Sequence, residues 1–240
     1  MDWSFNTDPV MRKLLPLCLL ALTALLCAAA AAAPAQPAYI LVTGFEPFGG
    51  DKTNGSWEAV QHLQGKRFGN ETVVVAELPV VWGKAGEQLH ALIVKYHPRA
   101  VIAFGQAGAE PVRLETIARN ERKPYKDNAG ALPPTDAVAA SAPATIPTAL
   151  DVDAVRKSLL TAKIPVVESK DAGGYLCNET FYVLMNDPDA QKIPRGFVHV
   201  PPLDATVTAA DGSKTLFDGN TLAAAADAVV SSVAVSLPAQ

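Results

Sequence analysis

Cys177 is the residue around which this sequence could do chemistry. It stands in SKDAGGYLCNETFY (169–182), where Ala172-Gly173-Gly174 makes a small-residue turn after a β-like stretch. Cys177 falls in the first turns of the helix expected next. Unpaired N–H groups and the positive end of the helix dipole favour a thiolate at such a position. Glycines let a substrate approach the backbone closely, so that neighbouring N–H groups can stabilise an oxyanion. The same pattern also fits a turn followed by a core cysteine on an amphipathic helix.

A thiolate nucleophile needs a base that later protonates the leaving amine, and imidazole does this near neutral pH. The chain has four histidines. His62, His90 and His97 lie on or beside polar helix positions and read as surface residues. His199 stands among apolar residues in GFVHVP, just before Pro201-Pro202, and reads either as a satisfied core histidine or as the partner of Cys177. A third group must orient the imidazole. Glu115, in VRLETIARN, follows the strand–glycine unit FGQAG. If that stretch is extended, residues 113, 115, 117 and 119 share a face, so that Arg113 and Arg119 flank Glu115 and favour its charged form. A solvated edge strand of alternating charge gives the same pattern.

The elements that must position these residues follow from hydrophobic period and punctuation. Residues 39–45 (YILVTGF), 72–81, 100–104, 114–119, 164–168 and 197–200 read as strands. Helices are expected after an N-cap at Ser56 as far as Gly65, over 84–96, from Asp151 to Ala162, over 175–185 and over 222–237. Residues 123–147, rich in Pro, Ala, Asp and Asn, are too long for a plain connection and read as a functional loop or lid. Strands alternating with helices predict one α/β domain over 36–240, a mostly parallel or mixed sheet with helices on both faces.

With 240 residues, 49% hydrophobic and 18% charged, the composition excludes disorder over most of the chain. The net charge of −4 provides no field for a phosphate backbone, so no nucleic-acid partner is expected. Neither HExxH nor CxxC occurs, so no metal and no cofactor are expected. Arg12 and Lys13, an apolar stretch over 14–33 and a small-residue exit match a secretory signal peptide, cut near Ala35. Met11 before them allows residues 1–10 to be an upstream extension. An uncleaved anchor is the rival reading. Cleavage implies an exported, periplasmic protein with no membrane association afterwards, whose single remaining cysteine is Cys177.

Taken together, the motifs resemble the pyroglutamyl-peptidase I (pyrrolidone-carboxylate peptidase) family of cysteine peptidases, from Ile40 to about Leu203. LVTGFEPFGG with NGSWEA, ELPVVWGKA, AFGQAG, ETIARN, KDNAG, SKDAGGYLCN and GFVHVP come in that family's order. The resemblance implies hydrolysis of an N-terminal pyroglutamyl residue from peptides through a thioester, which makes N-terminally pyroglutamylated peptides the expected partners. It implies Cys177 as nucleophile, His199 as general base and acid, and Glu115 as orienting carboxylate. It also implies Phe45 and Phe48 as walls of a lactam pocket, with Gln106 at its edge. A flat, partly polar ring suits aromatic walls with a few backbone donors and acceptors.

The chain departs from the family pattern at several places. Thr116 follows Glu115 where a basic residue is usual, and the Gly108–Glu115 spacing is one residue shorter. Gly55 replaces a common proline, Pro124-Tyr125-Lys126 stands before KDNAG, and Glu179-Thr180 follows Asn178. Two other functions fit parts of this sequence. One is a binding protein for pyroglutamyl peptides with weakened catalysis. The other is a nucleoside-phosphorylase-like enzyme, which would use GFEPFGGDK as a phosphate loop. A homo-oligomer is compatible with any of these readings.

Overall fold

The computed structural model describes Met1 and residues 37–238; the expected export segment lies outside them. The central sheet has seven strands: β1 (Ala38–Phe45), β2 (Arg67–Phe68), β3 (Glu71–Leu78), β4 (Ala100–Gln106), β5 (Val112–Glu115), β8 (Val166–Ser169) and β9 (Arg195–Val200). Their spatial order is β2-β3-β1-β4-β9-β5-β8. The pairings β1/β3, β1/β4, β4/β9 and β5/β8 are parallel, whereas β2/β3 and β5/β9 are antiparallel. Near-continuous apolar runs such as Ala100–Phe104 are what a strand covered on both faces requires.

The helices are α1 (Gly55–Val60), α2 (Lys84–Tyr96), α3 (Val152–Thr161), α4 (Leu176–Asn186) and α5 (Gly219–Ser236). They divide the core in two. On one face α1, α3 and α5 pack on Ile40, Ile102, Phe104, Leu114 and Val198. On the other, α2 and α4 cover Leu41, Phe45, Val101, Ala103 and Phe197. The alternation along β9 therefore sends Val198 and Val200 to one layer and Phe197 to the layer that holds α4.

Several expected boundaries shift for local reasons. Asn54, not Ser56, caps α1: its side chain accepts from the Ser56 N–H and hydroxyl, which frees the Ser56 oxygen to accept from Phe45 N–H. The strand expected over 72–81 stops at Leu78 because Pro79 has no N–H to donate. The single strand expected over 114–119 breaks at Thr116, whose N–H and hydroxyl both bind the Ser169 carbonyl. Beyond it, β6 (Ile117–Arg119) leaves the main sheet and pairs with β7 (Thr145–Pro147), an element hidden inside the expected loop. A hairpin of β10 (Ala205–Thr208) and β11 (Lys214–Phe217) was not anticipated.

Candidate active site

The central strands set out the site as cross-strand rows. In register, Gly105 of β4 lies beside His199 of β9, and His199 lies opposite Arg113 of β5. The neighbouring row is Ala103, Phe197 and Glu115. Residues two apart on a strand share a face, so Arg113 and Glu115 point the same way as Phe197 and His199. Over this face α4 brings Cys177. A β-carbon placed on Gly105 would lie 2.8 Å from the Cys177 sulfur and 2.7 Å from Cζ of Phe197. The glycine thus makes the room into which the thiol fits.

Glu115 and His199 meet directly: Nδ1 of His199 donates to Oε1 of Glu115 at 2.7 Å, with both side chains almost wholly buried. That bond leaves Nε2 as the basic nitrogen. The imidazole also stands edge-on to Phe197, with ring centroids 5.0 Å apart. Arg113 reaches Glu115 Oε1 at 3.3 Å, as the sequence suggests. Arg119 does not flank Glu115, because the break at Thr116 turns it away and its guanidinium donates to the Lys170 carbonyl.

Burial is the first cause of the site's electrostatics. It pushes the His199 imidazole below its ordinary value, against the hydrogen bond and charge of Glu115. It pushes the Cys177 thiol up to about 12; the Glu115 charge adds to this, while Arg113 and the cysteine's own backbone N–H oppose it. From sequence alone, the helix terminus favours a thiolate. Here desolvation and the Glu115 charge work against the ionised thiol, the opposite direction to the helix terminus.

Cys177, His199 and Arg113 line one cavity of about 250 Å³ with Phe45, Phe48 and Gln106. Glu115 joins them through its bond to His199, so the structure brings together all six residues expected at the site. The cavity's volume lies below the usual range for drug-sized ligands, and suits one small ring. Gln106 Oε1 accepts from Gly55 N–H at 2.6 Å, which ties the α1 loop to the cavity edge. Gly55 itself presses on the Pro201 carbonyl, where a β-carbon would come within 2.2 Å. The proline common at this position would clash there and remove the donor.

Three contributors were missed. Tyr175, two residues before Cys177, precedes α4 and lines the cavity. It gathers Phe48, Trp82 and Tyr125 around its ring at centroid distances of 6.3, 5.3 and 6.2 Å. Asn178 is fully buried; it accepts from Arg119 N–H and donates to the carbonyls of Arg119 and Glu121, pinning α4 to the chain beyond Glu115. Glu179, also fully buried, pairs with Arg122 at 2.7 Å and accepts from Gly83 N–H. These polar residues after the cysteine hold the 120–139 segment onto the nucleophile helix. The Asn-Glu-Thr polarity within an otherwise apolar helix was the available signal. No side chain caps the start of α4, so its first N–H groups are left to the cavity end.

A sulfur, an imidazole and a carboxylate in this order, on an α/β sheet and beside a small aromatic-walled cavity, define a cysteine-type hydrolase. The family model for pyroglutamyl peptidase matches residues 38–235, and the chain belongs to that family. It is 38% identical over 169 residues to the pyrrolidone-carboxylate peptidase of Cupriavidus pinatubonensis, covering 68% of this chain and 78% of the relative. The Thermococcus kodakarensis enzyme of the same name is 40% identical over 166 residues, covering 68% and 80%. A crystal structure of pyroglutamyl peptidase I from Bacillus amyloliquefaciens superposes with a TM-score of 0.75 at 29% identity, covering 82% of this chain and 97% of that one.

Proposed function

We propose that this chain removes the N-terminal pyroglutamyl residue from peptides by a thioester mechanism, with Cys177 as nucleophile, His199 as base and then acid, and Glu115 as orienting group. The observation that carries the reading is the 2.7 Å Glu115–His199 bond within the cavity that Cys177 enters. The lactam ring stacks against Phe45 and Phe48, leaving its exocyclic carbonyl toward the sulfur. As sulfur bonds to that carbon, the thiol proton passes to Nε2 of His199, and the first-turn N–H groups of α4 receive the developing oxyanion. Collapse breaks the amide, and the proton on Nε2 goes to the departing nitrogen. Water then attacks the thioester, again delivering a proton to Nε2, and returns the thiol with free pyroglutamate.

Burial raises the thiol's pKa, which favours proton transfer to Nε2 in step with attack. Substrate closing the cavity brings no ammonium with it, so no anionic anchor is needed. The experiment is release of a chromophore from a pyroglutamyl anilide, with the prolyl anilide as control. Activity on the first alone, lost in Cys177→Ala with the circular dichroism spectrum unchanged, supports the proposal; equal activity in that variant refutes it. Tight binding of pyroglutamyl peptides without turnover by the wild-type chain would favour the weakened binding protein.

A further inference from the structure

We propose that Arg113 is a positioning residue of this site: its guanidinium clamps Glu115 against His199 and, held in turn by Glu110, sets the charge that the imidazole feels. This rests on the hydrolase reading above, and extends it to a residue that the resemblance leaves without a role.

The register dictates the arrangement. Arg113 stands opposite His199 across the antiparallel β5/β9 pair and two residues before Glu115, so all three side chains leave the same face. Nε of Arg113 lies 3.3 Å from Glu115 Oε1, and Nη2 lies 3.5 Å from His199 Nδ1. On its outer side, Nη1 meets Glu110 Oε2 at 3.0 Å. Exposure is graded along the chain of charges: the Glu110 side chain is 56% exposed, that of Arg113 25%, and that of Glu115 not at all. Glu115 Oε2 has no hydrogen-bond partner among the described residues, so the contacts at Oε1 carry the orientation of the carboxylate. His199 donates to that oxygen, whereas Arg113 Nε, itself without a hydrogen-bond partner among the described residues, approaches it as an ion pair.

The guanidinium cannot accept from Nδ1, so its closeness to His199 acts as charge alone. The groups facing the imidazole are Glu115 and Arg113 from β5, Glu110 from the loop before it, and Cys177 from α4; β4 presents Gly105 and Gln106, which carry no charge. Glu115 and Glu110 favour the imidazolium, whereas Arg113 disfavours it. Burial is the first cause that holds the imidazole's pKa down, and the Arg113 charge adds to it against the two carboxylates.

The test is an NMR titration of the His199 ring in the full chain, read beside the pH profile of pyroglutamyl-anilide hydrolysis. In Arg113→Met the His199 midpoint should rise by roughly 0.5–1 pH unit, the acid limb of kcat/KM should rise with it, and kcat should fall while KM holds. Arg113→Lys keeps the charge without the fork; its midpoint should stay near wild type although kcat falls. The exposed variant Glu110→Gln should lower the midpoint, and it decides the matter if Arg113→Met does not fold. An unmoved midpoint in Arg113→Met, or in Glu110→Gln where the former is unfolded, overturns the proposal. Absence of turnover in the wild type counts against the hydrolase reading instead, and the titration alone then decides the role of Arg113.

Discussion

Replacing Gly105 by alanine perturbs the nucleophile without replacing a catalytic group. The added β-carbon would sit 2.8 Å from the Cys177 sulfur and 2.7–2.8 Å from the Phe197 ring edge. Ordinary contact begins at 3.4 Å, so the sulfur is about 0.6 Å and the Phe197 edge up to about 0.7 Å too close, and both overlaps must be relieved. Phe197 is almost fully buried and braced by Phe45, Phe181 and His199, with centroids 6.5, 5.8 and 5.0 Å away. The sulfur borders the cavity and is the freer of the two. A misplacement near 1 Å at a reacting atom costs roughly 10²-fold, so Gly105→Ala should lose about 10- to 100-fold in kcat, with KM little changed because the ring pocket stays. Overpacking should also remove about 1–3 kcal/mol of stability. The assay is steady-state hydrolysis of a pyroglutamyl anilide beside urea unfolding. A variant within twofold of wild type in kcat refutes the placement of the sulfur over Gly105; a loss confined to KM refutes the reasoning about which side yields.

Three further expectations rest on the same geometry. Glu115→Gln should lower kcat by about 10²–10⁴-fold, since an amide can hold the wrong imidazole tautomer; it should also move the acid limb of the pH profile down, because Glu115 supports the imidazolium. In the wild type that limb should lie below the ordinary histidine value near 6.5. The linkage to stability has two signs. As pH falls below about 6.5 the unfolded chain takes up a proton that His199 resists in the fold, so stability falls. Above about 8.5 the unfolded thiol ionises while the folded one holds its proton up to about 12, so stability falls as pH rises, and falls less in Cys177→Ala. Urea midpoints across pH for both chains check this. Finally, Arg122→Met strands the Glu179 charge in the interior and should cost about 3–5 kcal/mol, with the 120–139 segment losing hydrogen-exchange protection; unchanged midpoints and protection would contradict the role given to this pair.

Much of this site was legible because its chemistry is carried by residue types with few alternatives. One cysteine remains beyond the apolar leader-like stretch, and one histidine lies in a buried strand, so residue type and local pattern single out the pair. The α/β alternation likewise followed from period and punctuation, since Pro, Gly and Asp mark element ends locally. What stayed hidden is set by distant partners. Register across β4, β9 and β5 puts Gly105, His199 and Arg113 in one row, and no spacing within a single strand reports it. Arg119 looked equivalent to Arg113 until Thr116 bound the Ser169 carbonyl and turned the chain. The thiol's pKa followed the same rule: the helix terminus is visible in sequence, whereas the desolvation that raises the thiol comes from the packed cavity. Asn178 and Glu179 read as oddly polar because their partners lie some sixty and ninety-six residues away.

Whether Cys177 carries the acyl group is settled by quenching a single turnover of a pyroglutamyl anilide in acid and mapping the adduct by mass spectrometry. A pyroglutamyl thioester is expected on the peptide carrying Cys177, formed at the rate of the first chromophore released and absent with the prolyl anilide. Turnover with the acyl group on another residue, or with no acyl-enzyme while Cys177→Ala stays active, would contradict it.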